Sequence, residues 1–285
     1  VIVIAAGEPS ALTGEASSRS DLRLPGDQEQ LIKAVAATGK PSVVVLFNGR
    51  PLVTSDWVDS VPAVLEAWHG GVEGPRAVAR ALSGEVNPAG RLPMTFPRSS
   101  SQVPIYYDHE NTGRPATVSG TLEGGTLDVA LMGPGNTDDH YTSKYKDLDL
   151  GPQFAFGHGL SYTSFEYAGL KLSALEVSMA DLRAGTSVEL EITVRNTGAR
   201  AGDEVTMVFI RDIVASLAQP VRRLRGFTRT SLQPGEARSR SVQLGWKDLG
   251  FWDNNGRYVV EAGAFEIHAG GGLDGTLMGQ LRIRP

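Results

Sequence analysis

Val188-Glu189-Leu190-Glu191-Ile192-Thr193-Val194-Arg195-Asn196-Thr197-Gly198 is the stretch on which the fold class turns. Apolar side chains recur at every second position. On an extended chain Val188, Leu190, Ile192 and Val194 therefore share one face, and Glu189, Glu191 and Thr193 share the other. Asn196-Thr197-Gly198 then supplies turn residues. Downstream, Val205 to Ile210 and segments near 222–231, 237–244, 257–269 and 276–283 read as further strands. Gln233-Pro234-Gly235 makes a tight turn between two of them. Short strands punctuated by turns predict an all-β sandwich over residues 161–285.

Upstream the pattern changes. Residues 1–97 alternate short apolar runs with amphipathic stretches, the signature of an α/β layer on a mostly parallel sheet. Val1-Ile2-Val3-Ile4-Ala5-Ala6 reads as a buried strand. Asp27-Gln28-Glu29-Gln30 resembles a capping box, opening a helix that carries Leu31, Ile32, Val35 and Ala36 on one face and ends at Gly39 and Pro41. Val43–Phe47 is a second buried strand, left through Asn48-Gly49. Ala63–Trp68 is a third, closed by Gly70-Gly71. Residues 74–83 place Ala77, Val78, Ala81 and Leu82 on one helical face, Asn87-Pro88-Ala89-Gly90 turns, and Leu92–Phe96 reads as a strand. Residues 98–160 lack a sustained period and form a long connecting segment, with an insertion at 116–139. A buried parallel strand needs neighbours on both sides. Opening at Val1 inside such a strand predicts that the chain is the carboxyl-terminal part of a longer polypeptide.

Composition narrows the function classes. The 285 residues are 41% hydrophobic and 21% charged, enough apolar material for packed cores. Their 34 glycines and 16 prolines exceed the roughly 12% typical of globular chains and point to many turns. A net charge of −5 argues against nucleic-acid binding, which needs clustered cations. Absence of cysteine removes disulfides, thiolate metal sites and cysteine nucleophiles together. No apolar run approaches the ~18 residues of a membrane span. The histidines, His69, His109, His140, His158 and His268, have no metal-ligand spacing, and no metal is assigned.

The first strand-to-helix connection is long, running from Gly7 to about Gly26, on the edge of a parallel sheet where ligands usually bind. It carries two carboxylates, Glu8 and Glu15. From spacing alone they read as solvated loop acids.

Gly7-Glu8 followed by Gly14-Glu15-Ala16-Ser17-Ser18-Arg19 resembles the acid/base loop of glycoside hydrolase family 3. So do Phe47-Asn48-Gly49-Arg50-Pro51-Leu52, Leu65-Glu66-Ala67-Trp68, Asn87-Pro88-Ala89-Gly90-Arg91-Leu92-Pro93 and Tyr106-Tyr107. Asn111-Thr112-Gly113-Arg114-Pro115 and Phe154-Ala155-Phe156-Gly157-His158-Gly159-Leu160-Ser161-Tyr162-Thr163 are similar to later landmarks of the family. The order of these motifs matches bacterial periplasmic β-glucosidases, and the likeness fails only around 116–139.

The resemblance implies three domains: a catalytic β/α barrel, an α/β sandwich domain and a fibronectin type III-like domain. This chain would hold most of the second and all of the third. The barrel with its aspartate nucleophile would lie elsewhere, covalently linked or as a separate chain. By the same resemblance Glu15 is the general acid/base, with Glu8 as runner-up. The activity implied is retaining, exo-acting hydrolysis of terminal β-linked glucose from glucosides and short oligosaccharides. It needs no cofactor, is periplasmic or secreted, and is absent from this chain alone. β-Xylosidase or β-N-acetylglucosaminidase activity is the alternative within the family, and a non-catalytic carbohydrate-binding or assembly module the alternative outside it.

Other residues read as follows. Arg19 and Asp21 form an internal ion pair fixing the loop. Ser55-Asp56-Trp57 looks like the family's nucleophile triplet, but Ser55 or Asp56 as a helix N-cap accounts for it. Trp68 and His69 end a strand and line the sugar cleft. Arg222, Arg223 and Arg225 form a solvated strand face. Phe251, Trp252 and Tyr258 belong to the sandwich core or to packing against a neighbouring domain.

Overall fold

The computed structural model describes residues 1–110, 143–145, 147–273 and 275–285. The expected insertion at 116–139, the motif Asn111–Pro115 and His140 lie outside the described residues. The chain divides into two compact units. The first comprises Val1–Val86, Met94–Tyr106 and Tyr145–Ala155. The second comprises Asn87–Pro93, Tyr107–Lys144 and Phe156–Pro285.

The first unit is built on a parallel three-stranded sheet, β1 (Ile2–Gly7), β2 (Ser42–Phe47) and β3 (Val64–Glu66), in that order. β2 is central, and Val44, Val45 and Leu46 are fully buried. β1, expected as a buried strand, pairs only with β2 among the described residues. Ile4 and Ala6 face the core, while Val3 and Ala5 are exposed, as an edge strand covered on one face requires. Helix α1 (Gln28–Ala36) follows β1. Its apolar face is narrower than the sequence predicts: Ile32 is 0% exposed, but Leu31 is 55% exposed. The expected capping box does not form. Asp27 makes no side-chain cap, and the Gln28 amide instead clasps the end of β1. In helix α2 (Gly74–Leu82) only Gly74 and Ala81 are buried, so Ala77 and Leu82 do not join the core. Leu92–Phe96 is not a strand either. Phe96 alone forms a bridge, with Phe154, whose ring it meets edge-on at 6.4 Å.

The second unit is the sandwich that the alternation predicts. One sheet orders β5 (Glu176–Ser178), β13 (Leu277–Arg284), β12 (Gly263–Gly270), β7 (Gly202–Asp212) and β8 (Arg223–Leu232). The other orders β4 (Phe165–Leu172), β6 (Val188–Asn196) and β9 (Ala237–Leu244). All neighbours are antiparallel except β5 and β13. Val188, Leu190, Ile192 and Val194 of β6 are all buried, and the first three share a core with Val208, Ile210, Phe265, Ile267 and Leu281 of the facing sheet. The strand expected over 257–269 is two elements, a short hairpin strand β11 (Tyr258–Val259) and β12. β11 pairs with β10 (Phe251–Trp252).

One expectation about this unit is corrected. Arg222 is buried and donates to the Leu273 carbonyl, and the half-buried Arg225 donates to that of Gly250. These arginines are not a solvated strand face: they satisfy carbonyls that would otherwise be buried unpaired. Phe251 is core, but Trp252 is 67% exposed, with the Tyr258 ring edge-on at 5.3 Å.

Ile32 and Leu31 offer a direct test of α1. Ile32→Ala is expected to lower the stability of the first unit by about 2–5 kcal/mol, whereas Leu31→Ala leaves it within about 0.5 kcal/mol. Urea titration followed by tryptophan emission measures both. Equal losses would mean that α1 packs on a different face.

Candidate active site

In a parallel sheet all three strands deliver their following loops to one edge. Here these are residues 8–21 after β1, 48–53 after β2 and 67–73 after β3. The first loop leaves β1 through Gly7, whose φ is +147°. A Cβ at this position would stand 1.9 Å from the Phe47 carbonyl oxygen, so only glycine fits. The Glu8 amide then donates to that same carbonyl at 2.9 Å, which seats the Glu8 side chain directly beyond the strand end.

The two loop carboxylates have opposite environments. The Glu8 side chain is 0% exposed. Its Oε1 accepts from Arg19 at 2.8 Å and lies 3.2 Å from Arg50 Nε, so two guanidiniums cover one acid. Arg50 also donates to the carbonyls of Leu12 at 2.7 Å and Ser17 at 2.9 Å, on either side of Glu15. Glu15 is exposed, and its carboxylate takes no hydrogen bond or ion pair among the described residues. It stands between Gly14 at φ +114° and Ala16 at φ +59°. The chain reverses on both sides of it, and Glu15 is the tip of the loop.

The sequence pairing of Arg19 with Asp21 is not what forms. Arg19 takes Glu8, and Asp21 pairs with Arg23 at 2.8 Å, which holds the Asp21 carboxyl down at about 2. Nor do Ser55 and Asp56 cap a helix through their side chains. The short turn of 3-10 helix Val58–Ser60 has no side-chain cap, and Ser55 Oγ donates to the Arg98 carbonyl. Trp57 is 1% exposed and belongs to the core of the first unit. A core tryptophan explains the triplet.

β3 ends at Glu66, short of the predicted Trp68. Trp68 has φ +50° and meets Phe96 edge-on at 5.9 Å, and His69 is exposed. Among the described residues Ala16 and Trp68 are the two non-glycine residues with left-handed backbone, and both lie on this sheet edge. Such conformations cost about 1–3 kcal/mol each and persist only where the surroundings enforce them. At Trp68 the enforcing group is Glu66, whose Oε1 accepts the Trp68 amide at 3.0 Å. Its Oε2 accepts from the fully buried Asn48 at 3.3 Å. Burial pushes the Glu66 carboxyl up to about 7, against the opposing pull of these two donors. Gly49 joins the loops. A Cβ there would lie 2.6 Å from Thr13 Oγ1 and 2.9 Å from His69 Nε2, so its bare α-carbon lets the first and third loops close over the second.

Sequence reasoning missed Arg50 and Glu66 as site residues. Both had a readable signal: each is a charged residue at or just beyond the carboxyl end of an apolar parallel strand.

Residues 1–162 match the glycosyl hydrolase family 3 C-terminal domain, and residues 204–272 match a fibronectin type III-like domain. A periplasmic beta-glucosidase of Salmonella typhimurium is 39% identical over 95% of this chain and 32% of its own length. A beta-xylosidase of Formosa agariphila is 38% identical over 94% of this chain and 33% of its own length. The crystal structure of a beta-glucosidase from Listeria innocua in complex with glucose superimposes with a TM-score of 0.87 at 35% identity, over 99% of this chain and 36% of that one. The chain thus spans about a third of the length of the relatives it matches.

Glu66 yields a pH prediction. Its folded-state value lies above the ordinary 4.5, so the fold favours the protonated form. The associated stability is present at low pH and lost as pH rises towards about 7. Glu66→Gln cannot ionise, so its melting temperature relative to the parent protein is expected to climb between pH 5 and pH 8. Parallel curves across that range would remove Glu66 as the titrating group.

Proposed function

Because the chain belongs to glycoside hydrolase family 3, we propose that it is the part of a retaining β-glucosidase that supplies the general acid/base, Glu15. The observation that carries this reading is the contrast between the two loop acids: Glu8 is sealed beneath two arginines, while Glu15 is exposed at a tip flanked by two left-handed residues. A proton donor must reach the leaving oxygen of an external substrate. Glu15 has that access and Glu8 has not.

The chemistry is a double displacement. A carboxylate nucleophile attacks the anomeric carbon, the bond from that carbon to the leaving oxygen breaks, and the Glu15 proton passes to that oxygen. Water then attacks the glycosyl ester, giving its proton to Glu15 and releasing the nucleophile. Two carboxyl groups about 5–5.5 Å apart suffice, with no cofactor. The nucleophile, an aspartate, belongs to a barrel domain within the remaining two-thirds or so of the length that relatives possess. The substrate is a glucoside or short oligosaccharide ending in β-linked glucose, and the compartment is the periplasm, as in the Salmonella relative. Trp68 and His69, on the neighbouring loop, line the sugar cleft. The Formosa relative favours one second reading, a terminal β-xyloside. Paired kinetics on aryl β-glucoside and β-xyloside separate the two.

Residues 1–285 alone are expected not to hydrolyse an aryl β-glucoside. In the full-length enzyme Glu15→Gln is expected to cut kcat/KM for an alkyl glucoside by about 100-fold or more. For a dinitrophenyl glucoside, whose leaving group needs no proton, kcat/KM stays nearly unchanged, and added azide restores turnover. A uniform loss on all substrates, or no loss, would remove Glu15 from the role.

A further inference from the structure

The exposed tip that carries Glu15 is held in an unfavourable shape. Ala16 sits at φ +59°, and nothing in the sequence Gly14-Glu15-Ala16-Ser17 compels a side-chain-bearing residue to adopt it. The tip's own bonds are slight: the Ser17 amide reaches the Gly14 carbonyl at 3.3 Å, and Ser17 Oγ reaches the Glu15 carbonyl at 3.4 Å. The stronger constraint comes from outside the tip. One terminal nitrogen of Arg50 donates to both the Leu12 and Ser17 carbonyls, five residues apart, and so fixes the two ends of the arch. The Nε of the same guanidinium faces Glu8 Oε1. Arg19, just beyond the arch, grips that same oxygen and also donates to the Arg23 carbonyl at 2.9 Å.

We infer that Glu8 and Arg50 are positioning residues, a buried clamp that sets where the Glu15 carboxyl stands. This rests on Glu15 being the proton donor and explains why the loop holds two acids with one exposed. A charge buried beneath solvent-poor loops is costly unless it is paired, and a paired one resists sliding because any shift strips a partner from it. Glu8 is tied to the sheet through its own amide on Phe47. Arg50 stands three residues beyond β2, with its carbonyl held by Asn48. The clamp therefore transmits the rigid geometry of β1 and β2 to a loop that has no regular structure beyond the short turn Ser10–Leu12. Arginine is needed for this task. Its planar fork can address Glu8 and two carbonyls at once, whereas lysine keeps the charge but offers one nitrogen on a flexible stem.

The test has two arms. In the 285-residue chain, Arg50→Lys is expected to raise amide hydrogen exchange in residues 9–19 at least tenfold and to leave the β-sandwich unchanged. Unaltered exchange in 9–19 would overturn the clamp. In the full-length enzyme, the same variant is expected to lose at least tenfold in kcat/KM on an alkyl β-glucoside and less than about threefold on the dinitrophenyl glucoside. Equal losses on both substrates would overturn a positioning role. Glu15→Gln run alongside separates the two failures. If it discriminates between the substrates and Arg50→Lys does not, the clamp alone is wrong. If Glu15→Gln fails to discriminate, the donor assignment falls and this inference with it. Should Arg50→Lys not fold, Glu8→Gln takes its place, with the same expected and overturning results.

Discussion

A single carboxylate oxygen, Glu8 Oε1, organises the functional edge of the first unit. Two arginines from different loops converge on it. Removing either would leave a buried charge short of compensation, a loss that in comparable pairs runs to about 3–5 kcal/mol. The interaction also has a directional consequence. Because one terminal nitrogen of Arg50 donates to two backbone carbonyls, the ion pair is converted into control of main-chain shape, and through it, on the proposed reading, into the placement of an acid that the pair does not touch.

The second unit uses the same device for a different end. Glu204 of β7 is buried and takes hydrogen bonds from Arg91 and from the Tyr167 hydroxyl. Burial, with the Glu204 charge second, drives the Tyr167 phenol well above its ordinary range, so it acts as a fixed donor. Arg91 also donates to the Gly159 carbonyl. Asn87 accepts from Ser161 and the Tyr162 amide and donates to the Ala201 carbonyl. The run Asn87–Pro93 and the glycine-rich stretch after Phe156 are thereby sewn to the sandwich. Their polar residues serve architecture.

Much of this was legible in the sequence. The strict alternation of β6 and the unbroken apolar run of β2 are patterns set by burial, and burial decided both sheets. Local rules failed where a tertiary partner outbid a neighbour. Arg19 left Asp21 for Glu8, and Ser55 left its helix for the Arg98 carbonyl. Each residue had a plausible mate within a few positions and took a distant one. Glu15, the proposed acid/base, was recognisable through its motif. Arg50 and Glu66 carried only a positional signal, a charge at or just beyond the end of an apolar strand; their partners were not legible, because these depend on which loops a parallel sheet brings side by side, and spacing along the chain does not encode that.

Gly49 extends the same logic to how this edge can change over time. Its missing side chain is the space that Thr13 and His69 both occupy. A larger residue at either position 13 or 69 would crowd the space above Gly49 that the other uses. Changes in the size of residues 13 and 69 are therefore coupled through the space above Gly49, and each constrains what the other can become.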